Sequence, residues 1–259
     1  MKCYYQAKGA YKMSLIVKDL TGGYGQFPVL KDLNFTIAPG ELVGLIGLNG
    51  AGKSTTIKEI IGLLQPQKGS ITLNDLTLKK DPENYRKQIG YIPETPSLYE
   101  ELTLKEHIEI TAMAYDIKQE EALKRAEPLL KTFRLENKLD WFPAKFSKGM
   151  KQKVMVLCAF LIEPSLYIID EPFLGLDPLA INALLELMEQ MKNNGAAILM
   201  STHILATAEK YCDRFIVLHE GKIIAQGSLA HLQETFGLQG ADLDEIYLHL
   251  TKAQVTENA

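Results

Sequence analysis

Three cysteines among 259 residues, Cys3, Cys158 and Cys212, form no Cys-x-x-Cys pair and no Cys/His ligand spacing. A disulfide framework or a zinc site needs more than that, and so sparse a set fits a reducing compartment. Cys158 and Cys212 are expected to act as small hydrophobes. Long apolar runs are equally scarce. The longest, Val154 to Ile162, has nine residues, against roughly 18 needed to cross a bilayer. No membrane span is expected and no secretory leader is visible, so any membrane role has to come through a partner. An excess of positive charge is missing too: 28 Lys and Arg against 32 Asp and Glu leave a net charge of −4. That balance argues against a dedicated nucleic-acid binder, and no nucleic-acid partner is expected.

What is there is ordinary globular composition, 46% hydrophobic and 23% charged, enough to bury a sizeable core. Short apolar runs alternate with longer helical ones. Leu42 to Ile46, Tyr167 to Ile169, Ala197 to Met200 and Phe215 to Leu218 are continuous enough for strands of a parallel sheet covered on both faces. Leu184, Leu187, Met188 and Met191 lie at helical spacing, as do Leu123, Ala126, Leu130 and Phe133, although Pro128 argues against one unbroken helix there. The first strands differ. Ser14 to Leu20 and Val29 to Ile37 alternate apolar and polar residues, with turns at Gly22-Gly23 and Pro39-Gly40, which predicts an antiparallel layer ahead of the α/β core.

The stretch Gly47, Leu48, Asn49, Gly50, Ala51, Gly52, Lys53, Ser54 matches G-x-x-x-x-G-K-[ST], and Thr55 continues it into a helical run to Leu64. It follows a predicted strand, the context this motif requires. Glycines allow a tight turn that aims backbone N–H groups at phosphate oxygens, and the helix N-terminus favours an anion. Lys53 is then expected at the β- and γ-phosphates and Ser54 on Mg²⁺. The motif alone defines a P-loop nucleotide protein; kinases, GTPases, helicases and transporters all share it.

Leu166 to Glu171 is an apolar strand ending in two acids. Acids at the carboxyl end of a buried parallel strand face the crevice where α/β folds bind ligands. Asp170 is expected to hold Mg²⁺, through water, and Glu171 to polarise the attacking water as general base. The competing reading is that the pair caps the helix beyond.

Five further features point to one family. Phe146-Ser-Lys-Gly-Met-Lys-Gln152 resembles the Leu-Ser-Gly-Gly-Gln signature of ABC ATPases. Ser147 and Gly149 fit it; Lys148 and Met150 depart, in a form that resembles an exporter-like branch. Gly175-Leu176-Asp177 resembles the family's D-loop, and His203, after the strand ending at Met200, its switch histidine. Tyr24 stands where the family has the aromatic that stacks on adenine. Glu94, after Gly90-Tyr-Ile-Pro, stands where a Gln is usual, a second candidate toward Mg²⁺. Plain structural roles compete: Ser147 and Asp177-Pro178 are good helix caps by type, and Tyr24 could be a loop tyrosine.

The resemblance covers about residues 14 to 227. It implies an α/β fold with a P-loop NTPase core built on a parallel sheet, an N-terminal antiparallel β layer and a helical subdomain at about 98–160. Residues 1–12 are expected to be an extension, 13–227 the ATPase domain and 228–259 a helical tail. It also implies ATP and Mg²⁺ as cofactors, with His203 assisting Glu171 in hydrolysis. A second ATPase subunit, the same or different, would close head to tail, bringing Ser147, Gly149 and Asp177 to the partner's nucleotide. The implied output partner is a transmembrane permease subunit, docked near Glu94 and the helical region, at the cytoplasmic face of the membrane, in an export-type transporter. Alternatives are a soluble ABC ATPase of the Fe–S-assembly or translation type, and a small-molecule P-loop kinase, which would not need the 146–152 stretch.

Overall fold

The computed structural model describes residues 15–257, with side chains through Lys252; the expected extension at 1–12, and Cys3 with it, lie outside that range. The described residues open with β1 (Leu15–Tyr24) and β2 (Phe27–Ile37), an antiparallel pair whose buried residues alternate along β2 as one covered face requires. β3 (Leu42–Ile46) leads into helix α1 (Lys53–Ile60). Next comes β4 (Lys68–Leu73), which returns to pair antiparallel with β1 and completes a three-stranded layer in the order β2-β1-β4. The apolar pattern did not single out β4 or, after the short helix α2 (Pro82–Arg86), β5 (Ile89–Ile92).

Three helices follow: α3 (Leu104–Ala114), α4 (Gln119–Phe133) and α5 (Lys148–Leu161). β6 (Leu166–Asp170), α6 (Pro178–Asn193), β7 (Ala197–Thr202), α7 (Leu205–Tyr211), β8 (Arg214–His219) and β9 (Lys222–Gly227) complete the core. Two tail helices, α8 (Leu229–Phe236) and α9 (Leu243–Glu257), end it. The main sheet runs β5-β6-β7-β3-β8-β9. Its first five strands are parallel and β9 pairs antiparallel with β8 at the edge.

Alternation along the buried strands feeds two cores at once. Ile169, Ile198 and Met200 pack with α3, α4, α5 and α6 on one face. Ile168, Ala197 and Leu199 pack on the other, against α1 and the antiparallel layer. This explains the uninterrupted apolar runs of β3, β6 and β7, since no residue on them faces water.

The expected break at Pro128 does not occur: α4 continues through it. Pro128 lies on the exposed side, where the carbonyl that loses its bond can turn to water, while Ala122, Ala126, Leu129, Leu130 and Phe133 hold the other face in the core. Leu123, read as part of that face, is instead 39% exposed. Cys158 and Cys212 pack against the cores as expected, and burial pushes the Cys158 thiol up to about 11.

Candidate active site

β6, β7 and β3 lie side by side and parallel, so the loops leaving their carboxyl ends meet in one crevice. β3 leads into residues 47–52, and α1 begins at Lys53 with Gly52 as its N-cap at φ 112°. A side chain at that φ would be strained, and a Cβ there would approach Leu30 at 2.8 Å. The first N–H groups of α1 have no partner within the helix, so this end can receive an anion.

Lys53 is buried and folds back over the loop. Its Nζ donates to the Gly47 carbonyl at 2.7 Å and to that of Leu48 at 3.4 Å, and lies 3.9 Å from Glu171 Oε1. Leu48 is pinned from several directions: its carbonyl also accepts from the Ala51 N–H at 3.1 Å, and its own N–H donates to the Tyr247 hydroxyl at 3.0 Å. Asn49, Gly50 and Ser54 are exposed, whereas Ala51 and Thr55 are buried.

Asp170 ends β6 and is buried. Its Oδ1 accepts a short hydrogen bond from the Ser201 hydroxyl on β7, the residue in register with it. Burial pushes the Asp170 carboxyl upward, the Ser201 bond opposes this, and the charges of Glu94 and Glu171 push it further up. Glu171 adopts φ 47°, the left-handed region where a side chain costs about 1–2 kcal/mol. Its N–H donates to the Ser201 carbonyl at 3.1 Å, fixing the turn. The side chain then reaches His203, whose Nδ1 lies 2.9 Å from Oε2. The capping alternative for the acid pair does not hold, because Asp177 caps the next helix, α6.

Both expected caps form. Ser147 starts α5 by accepting from the Met150 N–H at 3.3 Å, and Asp177 starts α6 by accepting from the Ala180 N–H at 2.9 Å, with Pro178 following. Lys153 on α5 pairs with Asp177 at 2.6 Å, and this bond holds the Asp177 carboxyl low. Gly149 packs so closely on the Gly175 carbonyl that a Cβ would stand 2.4 Å from the oxygen. The 147–150 and 175–177 stretches are thereby one surface. Among the described residues, no hydrogen bond or ion pair joins Ser147 or Gly149 to residues 47–55. Gln152, fully buried on α5, donates to the Pro93 carbonyl at 3.3 Å and ties this helix to the loop holding exposed Glu94. Tyr24 is 49% exposed at the end of β1, where its hydroxyl accepts from Lys58 of α1 at 3.0 Å; that bond lowers its phenol pKa.

Three contributors to the site have roles that the sequence did not assign. Ser201 and Gln152 act through contacts set by sheet register and helix packing, and Tyr247 bonds a residue 199 positions away. The oxygen donors suit Mg²⁺: an exposed Ser54 hydroxyl, Asp170 and the nearby Glu94, with the mutual repulsion of the carboxylates favouring a cation. Among the described residues, no three His, Cys, Asp or Glu side chains cluster closely enough to hold a metal by themselves. Water and substrate phosphates would have to complete the shell, the arrangement Mg²⁺ prefers.

Fold and crevice together define a P-loop nucleoside triphosphatase. Residues 30–174 match the ABC transporter family, and the chain belongs to it, as an ATP-binding, ATP-hydrolysing subunit. It is 67% identical over 241 residues to the ABC-type transporter ATP-binding protein EcsA of Bacillus subtilis (strain 168), covering 93% of this chain and 98% of that one. Residues 91–96, 141–143 and 177–183 are the stretches that most resemble the Ecs-type ATPases, in keeping with this overall identity. A solved ATP-binding subunit of an ABC transporter superposes with a TM-score of 0.90 at 62% identity, covering 92% of this chain and 99% of that one. The ATP-binding cassette MJ0796, a dimer in a post-hydrolysis state bound to ADP and phosphate, superposes at TM-score 0.74 with 26% identity, covering 83% of this chain and 98% of that one. Among the described residues, no helix is long and apolar enough to cross a membrane.

Proposed function

We propose that this chain hydrolyses ATP at the crevice formed by residues 47–55, Asp170, Glu171 and His203, as one of two ATPase subunits that drive a separate transmembrane permease. The observation that carries the chemistry is the line of side chains Lys53, Glu171 and His203, held at 3.9 and 2.9 Å on the segments that leave adjacent parallel strands. Lys53 receives the β- and γ-phosphates on the loop that its ammonium already bridges. Glu171 takes a proton from water, whose oxygen attacks the γ-phosphorus; the bond to the bridging oxygen breaks and ADP leaves with the electron pair. His203 holds the carboxylate of Glu171 in position. Mg²⁺, when bound, supplies charge that offsets the build-up on the phosphates, and Ser54, Asp170 and Glu94 are the residues that would hold it. The exposed ring of Tyr24 supplies a face for adenine.

Ser147, Gly149 and Asp177 form a surface separate from this chain's own cradle. That supports their action on the nucleotide of a second subunit, identical or not, as does the dimeric state of MJ0796. ATP would favour the closed pair through contacts that exist only while the γ-phosphate is present, and hydrolysis would release them. Gln152 joins the 147–150 surface to the loop of Glu94, a physical route toward a permease docked on that loop. The likeness of Lys148 and Met150 to an exporter-like branch supports export, with the chain at the cytoplasmic face of the membrane.

The test is recovery of partners from gently solubilised native membranes with tagged Glu171→Gln and ATP, read by mass spectrometry. A multi-span protein recovered in stoichiometric amount is expected. Recovery of ribosomes or Fe–S-assembly proteins without a membrane protein would replace the transport reading by a soluble one.

A further inference from the structure

The two tail helices are not absorbed by the reading above, yet one of them reaches the phosphate cradle. Tyr247 of α9 is only 6% exposed, and its hydroxyl oxygen accepts the N–H of Leu48 at 3.0 Å. Its ring lies in a core cluster with Ile46, the last residue of β3, and with Phe215 and Val217 of the neighbouring strand β8. So α9 grips the exit of β3 twice, through packing at Ile46 and through the backbone at Leu48. Leu48 is also the residue on which the loop closes, since its carbonyl accepts from both Ala51 N–H and Lys53 Nζ. The same helix is tied at its start to α7, because the Leu243 N–H donates to Glu209 Oε2 at 2.7 Å. α7 follows directly on His203. One tail helix thus holds both walls of the crevice.

We propose that Tyr247 is a positioning residue for the phosphate cradle: its hydroxyl fixes the Leu48 peptide, and with it the loop conformation that receives ATP. The inference rests on the reading of residues 47–55 as the ATP site. A part-buried N–H deprived of its acceptor has to find another, and the loop can supply one only by moving. Every departure from the receptive conformation lowers apparent affinity by the fraction of time it is populated. The hydroxyl acts on the ground-state loop and not on the reacting atoms, so the effect falls on binding and KM and leaves kcat nearly unchanged.

The experiment compares Tyr247→Phe, Leu250→Ala and Lys53→Ala in the full chain. A fluorescent ATP analogue gives affinity, thermal unfolding gives stability, and amide hydrogen exchange reads the Leu48 N–H. Tyr247→Phe is expected to weaken nucleotide affinity about fivefold, which is about 1 kcal/mol, and to speed exchange at Leu48, with a melting temperature close to the parent. Leu250→Ala removes packing from the same cluster without touching the loop. It is expected to lower the melting temperature while leaving affinity unchanged. Tyr247→Phe with parental affinity overturns the inference, as does an affinity loss matched by Leu250→Ala, which would reduce Tyr247 to a packing role. Lys53→Ala separates the two levels. Loss of binding there with parental behaviour in Tyr247→Phe sinks the inference alone, whereas unchanged binding in Lys53→Ala removes the ATP site on which it stands.

Discussion

His203 Nδ1 lies 2.9 Å from Glu171 Oε2, and the His203 backbone N–H reaches the same oxygen at 3.4 Å. One residue thus holds the carboxylate by both side chain and main chain, on the turn after β7. His203→Ala removes the side-chain half. A proton acceptor left to rotate loses its alignment with the attacking water, and kcat is expected to fall about 100-fold with KM for ATP little changed. Steady-state phosphate release over a range of ATP concentrations makes the comparison. An unchanged kcat would show that His203 does not position Glu171.

Gly149 is a packing requirement. Its replacement by Ala puts a methyl 2.4 Å from the Gly175 carbonyl oxygen, where backbone faces backbone and no side chain can yield. The 147–150 and 175–177 stretches must then separate, at about 1–3 kcal/mol of stability. Nucleotide binding to the isolated subunit is expected to persist, because among the described residues no hydrogen bond or ion pair links these stretches to the cradle. ATP-dependent dimerisation, followed by light scattering with Glu171→Gln in the background, is expected to be lost. Dimerisation at the parental level would remove Gly149 from the interface.

Glu59 on α1 gives the chain a pH dependence of its own. It is 2% exposed, and among the described residues neither carboxylate oxygen has a hydrogen-bond partner. It faces Gly22 of β1, where a Cβ would stand 1.9 Å from Oε1, so the absence of a side chain there is what makes room for it. Burial pushes its pKa from the ordinary 4.5 to about 7. The folded state therefore keeps a proton that the unfolded chain has released between those values. The stability from Glu59 is fully present below pH 4.5 and is lost as pH rises through about 7. The loss is on the order of 3 kcal/mol. Glu59→Gln cannot ionise, so urea titrations from pH 5 to 8 are expected to show a smaller decline than in the parent. Parallel declines would show that Glu59 is already ionised at pH 5.

The cradle and the acid pair were legible in the sequence because each is local: a glycine-rich turn between a strand and a helix, and two acids closing an apolar run. The main sheet was legible for the same reason, since strands covered on both faces write unbroken apolar stretches. β4, β9 and the four-residue β5 left no such trace. β4 buries only Ile71 and Leu73 among its six residues, and β9 lies at the sheet edge with only Gly227 buried. Pro128 misled because helix-breaking was judged from residue type, whereas its place on the exposed side of α4 decides the outcome. The supports of the site were the least legible. Ser201 meets Asp170 across 31 residues and Tyr247 meets Leu48 across 199, and only the folded chain brings such pairs together.

The most direct test of ATP hydrolysis at this crevice is phosphate release by Glu171→Gln beside ATP binding in the same preparation. The amide keeps the shape of Glu171 and its contact with His203 but cannot take a proton from water. Expected are parental ATP affinity, phosphate release reduced at least about 100-fold, and accumulation of an ATP-bound dimer. Phosphate release at the parental rate would contradict the assignment of Glu171 as the general base.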